Sequence, residues 1–263
     1  MMATGSIGRS AQVLGALVLA FLLLPVFAVV PASINQSSFI KIPPEHYSGR
    51  WYQALLTDSG WLSSIAASFE IALLATGISV ALGTLAALGI ERVGTRWRGV
   101  LTGLMLAPLI VPVTMTSIAL YYAMRRLGLH GTMLGLALGH TLLCLPFVVL
   151  NVGVSLNRLD PALPRAAAGL GASPWRIFRT VILPAIRPGL TAGAAFAFIT
   201  SFDEVVISIF LAGVEAKTLP VKLWEQIRVE FTPVAAAGST VILITTMVTF
   251  FLVQLARGKG RDA

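Results

Sequence analysis

Six long apolar runs constrain the fold of this 263-residue chain more than any other feature. A helix needs about 20 apolar residues to cross the hydrocarbon core of a bilayer, and each run reaches that length. The runs are continuously apolar and do not alternate with polar residues, which disfavours a transmembrane β-barrel. We therefore expect an all-α membrane protein whose six transmembrane helices lie at about 11–31, 63–90, 99–124, 131–156, 189–213 and 233–256.

Charged residues are scarce, at 11% of the chain against about 25% in a soluble domain, while 56% of the residues are apolar. This composition excludes a disordered chain, a coiled coil and an ordinary soluble enzyme. The net charge is +8, but the basic residues lie in small groups between the apolar runs. That distribution is typical of residues that flank membrane spans, and we expect no nucleic-acid partner. A lone cysteine, Cys144, cannot form a disulfide framework.

The distribution of basic residues also predicts the orientation. With the N-terminus inside, 12 of the 19 Lys and Arg residues face the cytoplasm and seven face outward. The positive-inside rule then places both termini in the cytoplasm. The first run follows Arg9 and could also be a signal peptide, but its apolar core of about 18 residues is long for one and favours an uncleaved span. We expect one membrane domain over residues 1–263.

The segment 157–188, between the fourth and fifth runs, has the composition of a structured loop. Asp160 and Ser173 each precede a proline, which is a helix-start signal. Gly169 and Gly171 end the first of these helices, and we expect a positive φ at Gly171. Two short helices joined by a sharp turn would form a docking element for another protein, and we call this segment the coupling loop.

Prolines and small residues predict the shape of the spans. We expect Pro184 and Pro188 to end the second loop helix, and Pro108, Pro112 and Pro146 to kink the apolar spans that contain them. Rows of small residues at four-residue spacing would let helices pack closely. Three such rows are Gly99/Gly103/Ala107, Gly131/Gly135/Gly139 and Gly189/Gly193/Ala197.

The coupling loop carries Arg165-Ala166-Ala167, then Gly171, then Val181-Ile182-Leu183-Pro184. This spacing resembles the EAA loop of ABC-importer permeases, which reads Glu-Ala-Ala, three residues, Gly, nine residues, Ile-x-Leu-Pro. Arg165 stands where Glu is commonest, and Val181 stands for Ile. The resemblance implies that a separate ATPase docks on this loop. The residues that it assigns to ATPase coupling are Arg165, Ala166, Ala167, Gly171, Leu183 and Pro184.

Other stretches are similar to the polyamine (spermidine/putrescine-type) importer permeases. They are 201–208 (Ser-Phe-Asp-Glu-Val-Val-Ile-Ser), 218–224 (Thr-Leu-Pro-Val-Lys-Leu-Trp), 108–112 (Pro-Leu-Ile-Val-Pro) and 140–146, which begins His-Thr and ends Leu-Pro. The resemblance implies a type I ABC importer permease fold in a bacterial inner membrane. It also implies two copies of an ATP-binding subunit, a second permease that we expect to be a paralogue, and a periplasmic or extracellular solute-binding protein.

The sequence contains no phosphate-binding loop of the form G-x-x-x-x-G-K-[ST], because Gly258-Lys259 is followed by Gly260. We therefore expect ATP to bind only to the partner subunit, with no cofactor in this chain and no enzymatic activity of its own. The expected solute is a small organic cation such as a polyamine. Alternatives are an amino-acid-like compound, an aminophosphonate or ferric iron, and, from other classes, a stand-alone secondary transporter or an integral membrane enzyme.

Three carboxylates lie within the predicted spans, at Glu70, Asp203 and Glu204. An ionisable group that faces lipid costs several kcal/mol, so each needs water, a partner or a ligand. Their positions in segments two and five place all three toward the outer half of the membrane, where they would line the pathway of a cation. Asp203 and Glu204 would point about 100° apart on a helix. The alternative is that they cap a helix or pair with a basic residue, and we interpret His140 as a hydrogen-bonded packing residue.

Overall fold

The computed structural model of the chain describes residues 9–39, 42–213, 216–229 and 232–258. Its regular structure there is helical, apart from an isolated β-bridge between Asn35 and Tyr47. The helices are α1 (Arg9–Ser33), α2 (Arg50–Thr57), α3 (Ser59–Arg92), α4 (Thr95–Ile110), α5 (Val113–Arg126), α6 (Met133–Leu156), α7 (Ala162–Gly169), α8 (Pro174–Ile177), α9 (Leu183–Phe202), α10 (Val206–Leu211), α11 (Leu219–Val229) and α12 (Pro233–Gly258). A π-helical turn, Phe178–Ile182, joins α8 to α9.

The chain divides into two compact units, which are Met1–Leu62 with Glu225–Leu243 and Ser63–Trp224 with Ile244–Ala263. In the first unit, hydrogen bonds hold the segment that follows α1. The Ser33 and Tyr52 hydroxyl oxygens are 2.7 Å apart, and the Trp51 indole N–H donates to the Asn35 carbonyl oxygen at 2.7 Å. All the candidate site residues lie in the second unit. The single domain over 1–263 stays a prediction.

Among the described residues, five helices are each long and apolar enough to cross a membrane. They are Ala11–Ser33, Ser59–Arg92, Met133–Leu156, Pro174–Phe202 and Pro233–Leu255. The pair Thr95–Ile110 and Val113–Arg126 meets the same criterion together, which gives six spans when the pair counts as one. The all-α membrane fold expected from the apolar runs is therefore confirmed.

The third predicted span, 99–124, is not one helix. The axes of α4 and α5 differ by 99° across the break between them. Pro112 lies in this break, as the sequence predicts, because proline has no backbone N–H and keeps the preceding residue out of helical geometry. Pro108 and Pro146 lie inside α4 and α6 without ending them.

The fifth predicted span, 189–213, differs from the structure at both ends. The helical path runs from α8 through the π turn into α9, so the expectation that Pro184 and Pro188 end the second loop helix is wrong. Pro184 lies just after the π turn and Pro188 lies inside α9, and spanning helices tolerate internal prolines of this kind. At the other end, α9 stops at Phe202 and a break precedes α10.

The most extensive helix packing in the second unit joins α6 to α9. A Cβ atom at Gly193 would lie 2.9 Å from the Val148 Cα atom, and one at Gly189 would overlap the Asn151 carbonyl oxygen. Ala197, the next small residue in this row, is fully buried. The absence of larger side chains therefore allows the two helices to approach closely.

The other two rows of small residues differ from each other. Gly131 precedes α6 and has a φ of +79°, so only Gly135 and Gly139 of the second row lie on that helix. A Cβ atom at Gly139 would lie 2.8 Å from a methyl carbon of Leu211, so this part of the row packs within the unit. Gly99 and Gly103, on α4, have no heavy atom of the described chain within 4 Å of where their Cβ atoms would be. This row leaves the surface of α4 uncovered by the described part of the chain.

Candidate functional site

Two of the predicted site carboxylates lie at the break between α9 and α10, which comprises residues 203–205 and which we call the carboxylate break. The Asp203 N–H donates to the Ile199 carbonyl oxygen at 3.1 Å, and the Glu204 N–H donates to that of Ser201 at 3.4 Å. These bonds complete the last turn of α9. Asp203 and Glu204 therefore do not occupy successive positions of a continuous helix, and the expected angle of about 100° between them does not apply.

The Glu204 carboxylate caps α10. Its Oε1 atom accepts a hydrogen bond of 2.8 Å from the Ile207 N–H, and the side chain is half-buried. The first N–H groups of a helix have no partner within the helix, so a side-chain oxygen at this place stabilises the helix start. The capping alternative stated for the two adjacent carboxylates thus describes Glu204.

The Asp203 carboxylate differs from its neighbour. The side chain is exposed, and no hydrogen bond or ion pair joins it to a residue that the structure describes. Within the described part of the chain, no side chain therefore compensates the charge of this carboxylate. Of the two carboxylates at the break, Asp203 is the one available to a ligand.

An aromatic cluster connects the break to α3. The Phe69 and Phe202 ring centroids are 4.8 Å apart, and Phe198 lies 5.6 Å from Phe202 and 6.2 Å from Phe69. Phe69 precedes Glu70 and Phe202 precedes Asp203, so the cluster brings these two carboxylate residues to the same part of the unit. These three rings were not among the predicted site residues, although the four-residue spacing of Phe198 and Phe202 beside Asp203 was a signal for them.

Glu70 lies on the exposed face of α3. Leu73 and Leu74, one turn further along the helix, are exposed with it, whereas Ile71 and Ala72 are fully buried. The carboxylate therefore points away from the core of the unit, beside large apolar side chains.

A buried polar group, His140 of α6, contacts both sides of the carboxylate break. Its Nδ1 atom is 2.8 Å from the Ser201 hydroxyl oxygen on α9, and its Nε2 atom is 2.9 Å from the Ser208 hydroxyl oxygen on α10. The side chain is 1% exposed, and both serines are buried. The interpretation of His140 as a hydrogen-bonded packing residue is confirmed, but the sequence did not indicate that its partners flank the break.

The coupling loop forms its two short helices through local caps. The Asp160 Oδ1 atom accepts a 2.8 Å hydrogen bond from the Ala162 N–H, and the Ser173 hydroxyl oxygen accepts one of 3.4 Å from the Arg176 N–H. Gly171, between the helices, has a φ of +82°. The predicted helix starts and the predicted positive φ are therefore confirmed.

The surface of the coupling loop is apolar and uncovered. Leu170 is 89% exposed, and Leu163 and Trp175 are exposed as well. Large apolar side chains in this number on one short loop indicate a surface that another protein covers. Arg165 is exposed beside them, and its Nε–H donates to the Pro161 carbonyl oxygen at 2.9 Å.

The remaining residues assigned to coupling lie between this surface and the core. Ala166 is exposed and Ala167 is half-buried on α7, and Pro184 is exposed at the start of α9. Leu183 packs against the buried core cluster that contains Val148 and Ile186. The coupling loop is therefore attached directly to α9, whose 20 residues extend about 30 Å to the carboxylate break.

The chain is similar to known membrane transport proteins. The family model for the binding-protein-dependent transport system inner membrane component matches residues 79–261. The spermidine/putrescine transport system permease protein PotC of Escherichia coli (strain K12) is 30% identical over 243 residues, which cover 92% of this chain and 92% of that protein. The putrescine transport system permease protein PotI of the same strain is 33% identical over 232 residues, covering 85% of this chain and 82% of that protein.

A solved structure of low sequence identity has the same fold. It is the crystal structure of a bacterial ABC transporter involved in the import of the acidic polysaccharide alginate, with a TM-score of 0.72 and 17% identity. The match covers 97% of this chain and 99% of that one.

Long apolar helices, an exposed loop at one end of α9 and a carboxylate at its other end define a multi-pass membrane protein of the transport-permease class. The chain belongs to the family of binding-protein-dependent transport system inner membrane components.

Proposed function

We propose that this chain is the permease subunit of an ATP-driven importer of polyamines and forms half of the translocation pathway. The observation that carries the proposal is the exposed Asp203 carboxylate, which lies at the end of α9 with no described partner. The spermidine and putrescine permeases named above, similar over most of their length, support the same class of solute.

The chemistry around Asp203 suits an organic cation. A carboxylate attracts an ammonium group, and the faces of phenylalanine rings attract cations within about 6 Å of the ring centroid. Beside the break, Phe69 is exposed and Phe198 is half-buried, and Glu70 follows Phe69. The fold alone does not select the solute, because the ABC transporter of similar structure is involved in the import of alginate, an acidic polysaccharide. The carboxylates and rings of this chain supply the selectivity in our proposal.

A second permease subunit, which we propose to be a paralogue, would complete the pathway. Glu70 lies on an exposed face of α3, where contact with lipid would cost several kcal/mol. The uncovered small residues Gly99 and Gly103 of α4 would likewise allow close approach of a helix from another subunit. A polar pathway between two permeases would solvate the Glu70 and Asp203 carboxylates.

The coupling loop is the proposed docking surface for the ATP-binding subunit, with one of its two copies on each permease. Binding of ATP, and hence all nucleotide chemistry, belongs to that subunit, so the permease itself is neither an enzyme nor a cofactor-binding chain. When the ATPases close, they would push α7 and the exposed Leu170. The push would reach the carboxylate break through α9 and would shift the permease between two packed states.

The proposed orientation has both termini in the cytoplasm, from the 12-to-seven distribution of Lys and Arg, of which Lys41, Lys259 and Arg261 lie outside the described residues. Ser173 lies in the coupling loop, and Leu127 directly follows α5, at its proposed outer end. Both residues are exposed. Single cysteines there, in a Cys144→Ala background, should react with a membrane-impermeant maleimide from opposite sides. Labelling of both from the outside would contradict this topology.

The function is tested by reconstituting the permease with its partner permease, the ATPase and the solute-binding protein in proteoliposomes. We expect spermidine and putrescine to be taken up only with ATP and the binding protein, and to stimulate ATP hydrolysis. An amino acid, an aminophosphonate and ferric iron serve as competitors, and competition by one of them alone would change the proposed solute. Uptake that requires no ATPase would show a secondary transporter instead.

A further inference from the structure

The carboxylate break is crossed by one buried side chain, His140, whose two ring nitrogens contact different helices. Ser201 belongs to the last turn of α9, and Ser208 lies within α10. The two contacts are 2.8 and 2.9 Å long, and all three side chains are buried. The ring, which belongs to α6, therefore connects α9 to α10 across the break between them.

The hydrogen atoms of this network can be assigned. The Ser208 hydroxyl donates to the Glu204 carbonyl oxygen at 2.9 Å, so its single hydrogen is used there. With that hydrogen used, we assign the Nε2 atom of His140 as the donor to the Ser208 oxygen. A neutral imidazole with hydrogen on Nε2 has an acceptor at Nδ1, which receives the Ser201 hydroxyl hydrogen. In this assignment each hydrogen bond of the network has one donor and one acceptor.

The consequence is a fixed backbone at the break. Through Ser208, the network ends on the carbonyl oxygen of Glu204, the residue that follows Asp203. The Glu204 carboxylate is held separately by the Ile207 N–H. Buried polar groups that lose their partners destabilise a structure strongly, so a satisfied network of this kind resists displacement.

We propose that His140 is a positioning residue for the transported cation: it holds α9 and α10 together across the break and thereby fixes where the Asp203 carboxylate stands. The inference rests on the proposed function for the identity of the cation. It assigns to His140 an effect on solute affinity without contact between the imidazole and the solute.

The test compares two variants. His140→Leu fills the site with an apolar side chain and removes both serine contacts, whereas the amide of His140→Gln can retain one of them. Cys144→Ala is the matched control, because Cys144 lies one turn further along α6, is fully buried and also contacts α9, through a 3.1 Å hydrogen bond from Sγ to the Ala197 carbonyl oxygen. That contact is to α9 alone, six residues before Asp203. All variants are measured in the complete reconstituted complex.

Spermidine uptake should show a half-saturating concentration about 10-fold higher for His140→Leu, as expected when buried hydrogen bonds are lost. Cys144→Ala should stay within about twofold and His140→Gln should lie between them. Complex assembly and ATP hydrolysis stimulated by the binding protein at saturating spermidine should be preserved in all three. A parallel loss of assembly and hydrolysis, or unchanged affinity in His140→Leu, would overturn the positioning role.

A second readout does not depend on the solute. Spin labels at Thr191 of α9 and Ile209 of α10, both exposed, report the distance between the helices in the Cys144→Ala background. The distance distribution should broaden in His140→Leu and stay narrow in the parent. If the Cys144→Ala complex transports no polyamine, the proposed solute is wrong. The distance distribution then decides by itself whether His140 holds α9 and α10 together.

Discussion

The coupling loop and the carboxylate break lie at the two ends of α9 and are stabilised by different kinds of contact. In the loop, each helix start is capped by a side chain two or three residues away, and the apolar residues face outward. At the break, a histidine contacts serines 61 and 68 residues away, and these three polar side chains are buried. The difference indicates that the loop is built to be covered by a partner, whereas the break is built to hold its shape.

Of the variants that test this difference, Gly171→Val in the coupling loop should have the largest effect on uptake. A β-branched residue resists the φ of +82° at this turn, which would displace α7 from α8. We expect insertion to be retained and ATP-driven uptake to be lost in the reconstituted complex. Gly169→Ala is the control, since nothing lies within 4 Å of its Cβ position and its φ is not in the left-handed region. Normal transport by Gly171→Val would mean that the loop does not couple the ATPase.

A smaller effect, on stability, is expected from substitutions where α9 packs against α6, between the coupling loop and the carboxylate break. A methyl group at Gly193 would meet the Val148 backbone, so Gly193→Ala should lower the free energy of unfolding by about 1–3 kcal/mol. Gly77→Ala on α3 meets nothing within 4 Å and should raise it by about 0.5–1 kcal/mol. Thermal denaturation in detergent measures both. Shifts of the same sign would contradict the close packing of α9.

The smallest effect should follow Arg165→Glu, which restores the residue commonest in the EAA pattern. Arg165 is exposed, and its one hydrogen bond in the described chain is to the Pro161 carbonyl oxygen. Such an exposed contact contributes about 1 kcal/mol or less, so the maximal uptake rate should change by less than about threefold. A loss of transport as large as that of Gly171→Val would show that Arg165 makes a specific ion pair with the ATPase.

The sequence predicted the features that depend on neighbouring residues. The apolar runs predicted the spanning helices, and the caps at Asp160 and Ser173 and the turn at Gly171 have the predicted form. The row of Gly189 and Gly193 lies where two helices pack closely, as expected. The sequence signal for each of these features lies within a few residues, so a pattern of residue types is enough to predict it.

The features that depend on distant residues were not predicted. The helix continues through Pro184, where the neighbouring Leu183 packs on the core, and this continuity cannot be inferred from the local proline rule. The end of α9 at Phe202 depends on a polar network contributed by α6 and α10. The sequence placed Asp203 and Glu204 in the pathway as equivalent candidates, and only their contacts separate the cap from the exposed carboxylate.

The most direct test of the central claim, that the exposed carboxylate of the break binds the transported cation, is spermidine uptake by Asp203→Asn beside Glu204→Gln. Both substitutions remove one charge, but Gln retains an oxygen that can accept from the Ile207 N–H. A charged hydrogen bond contributes about 1.5–3 kcal/mol, so Asp203→Asn should raise the half-saturating concentration about 10-fold or more, with ATPase assembly unchanged. Glu204→Gln should change it by less than about threefold. Equal effects of the two variants, or unchanged uptake in Asp203→Asn, would contradict the account.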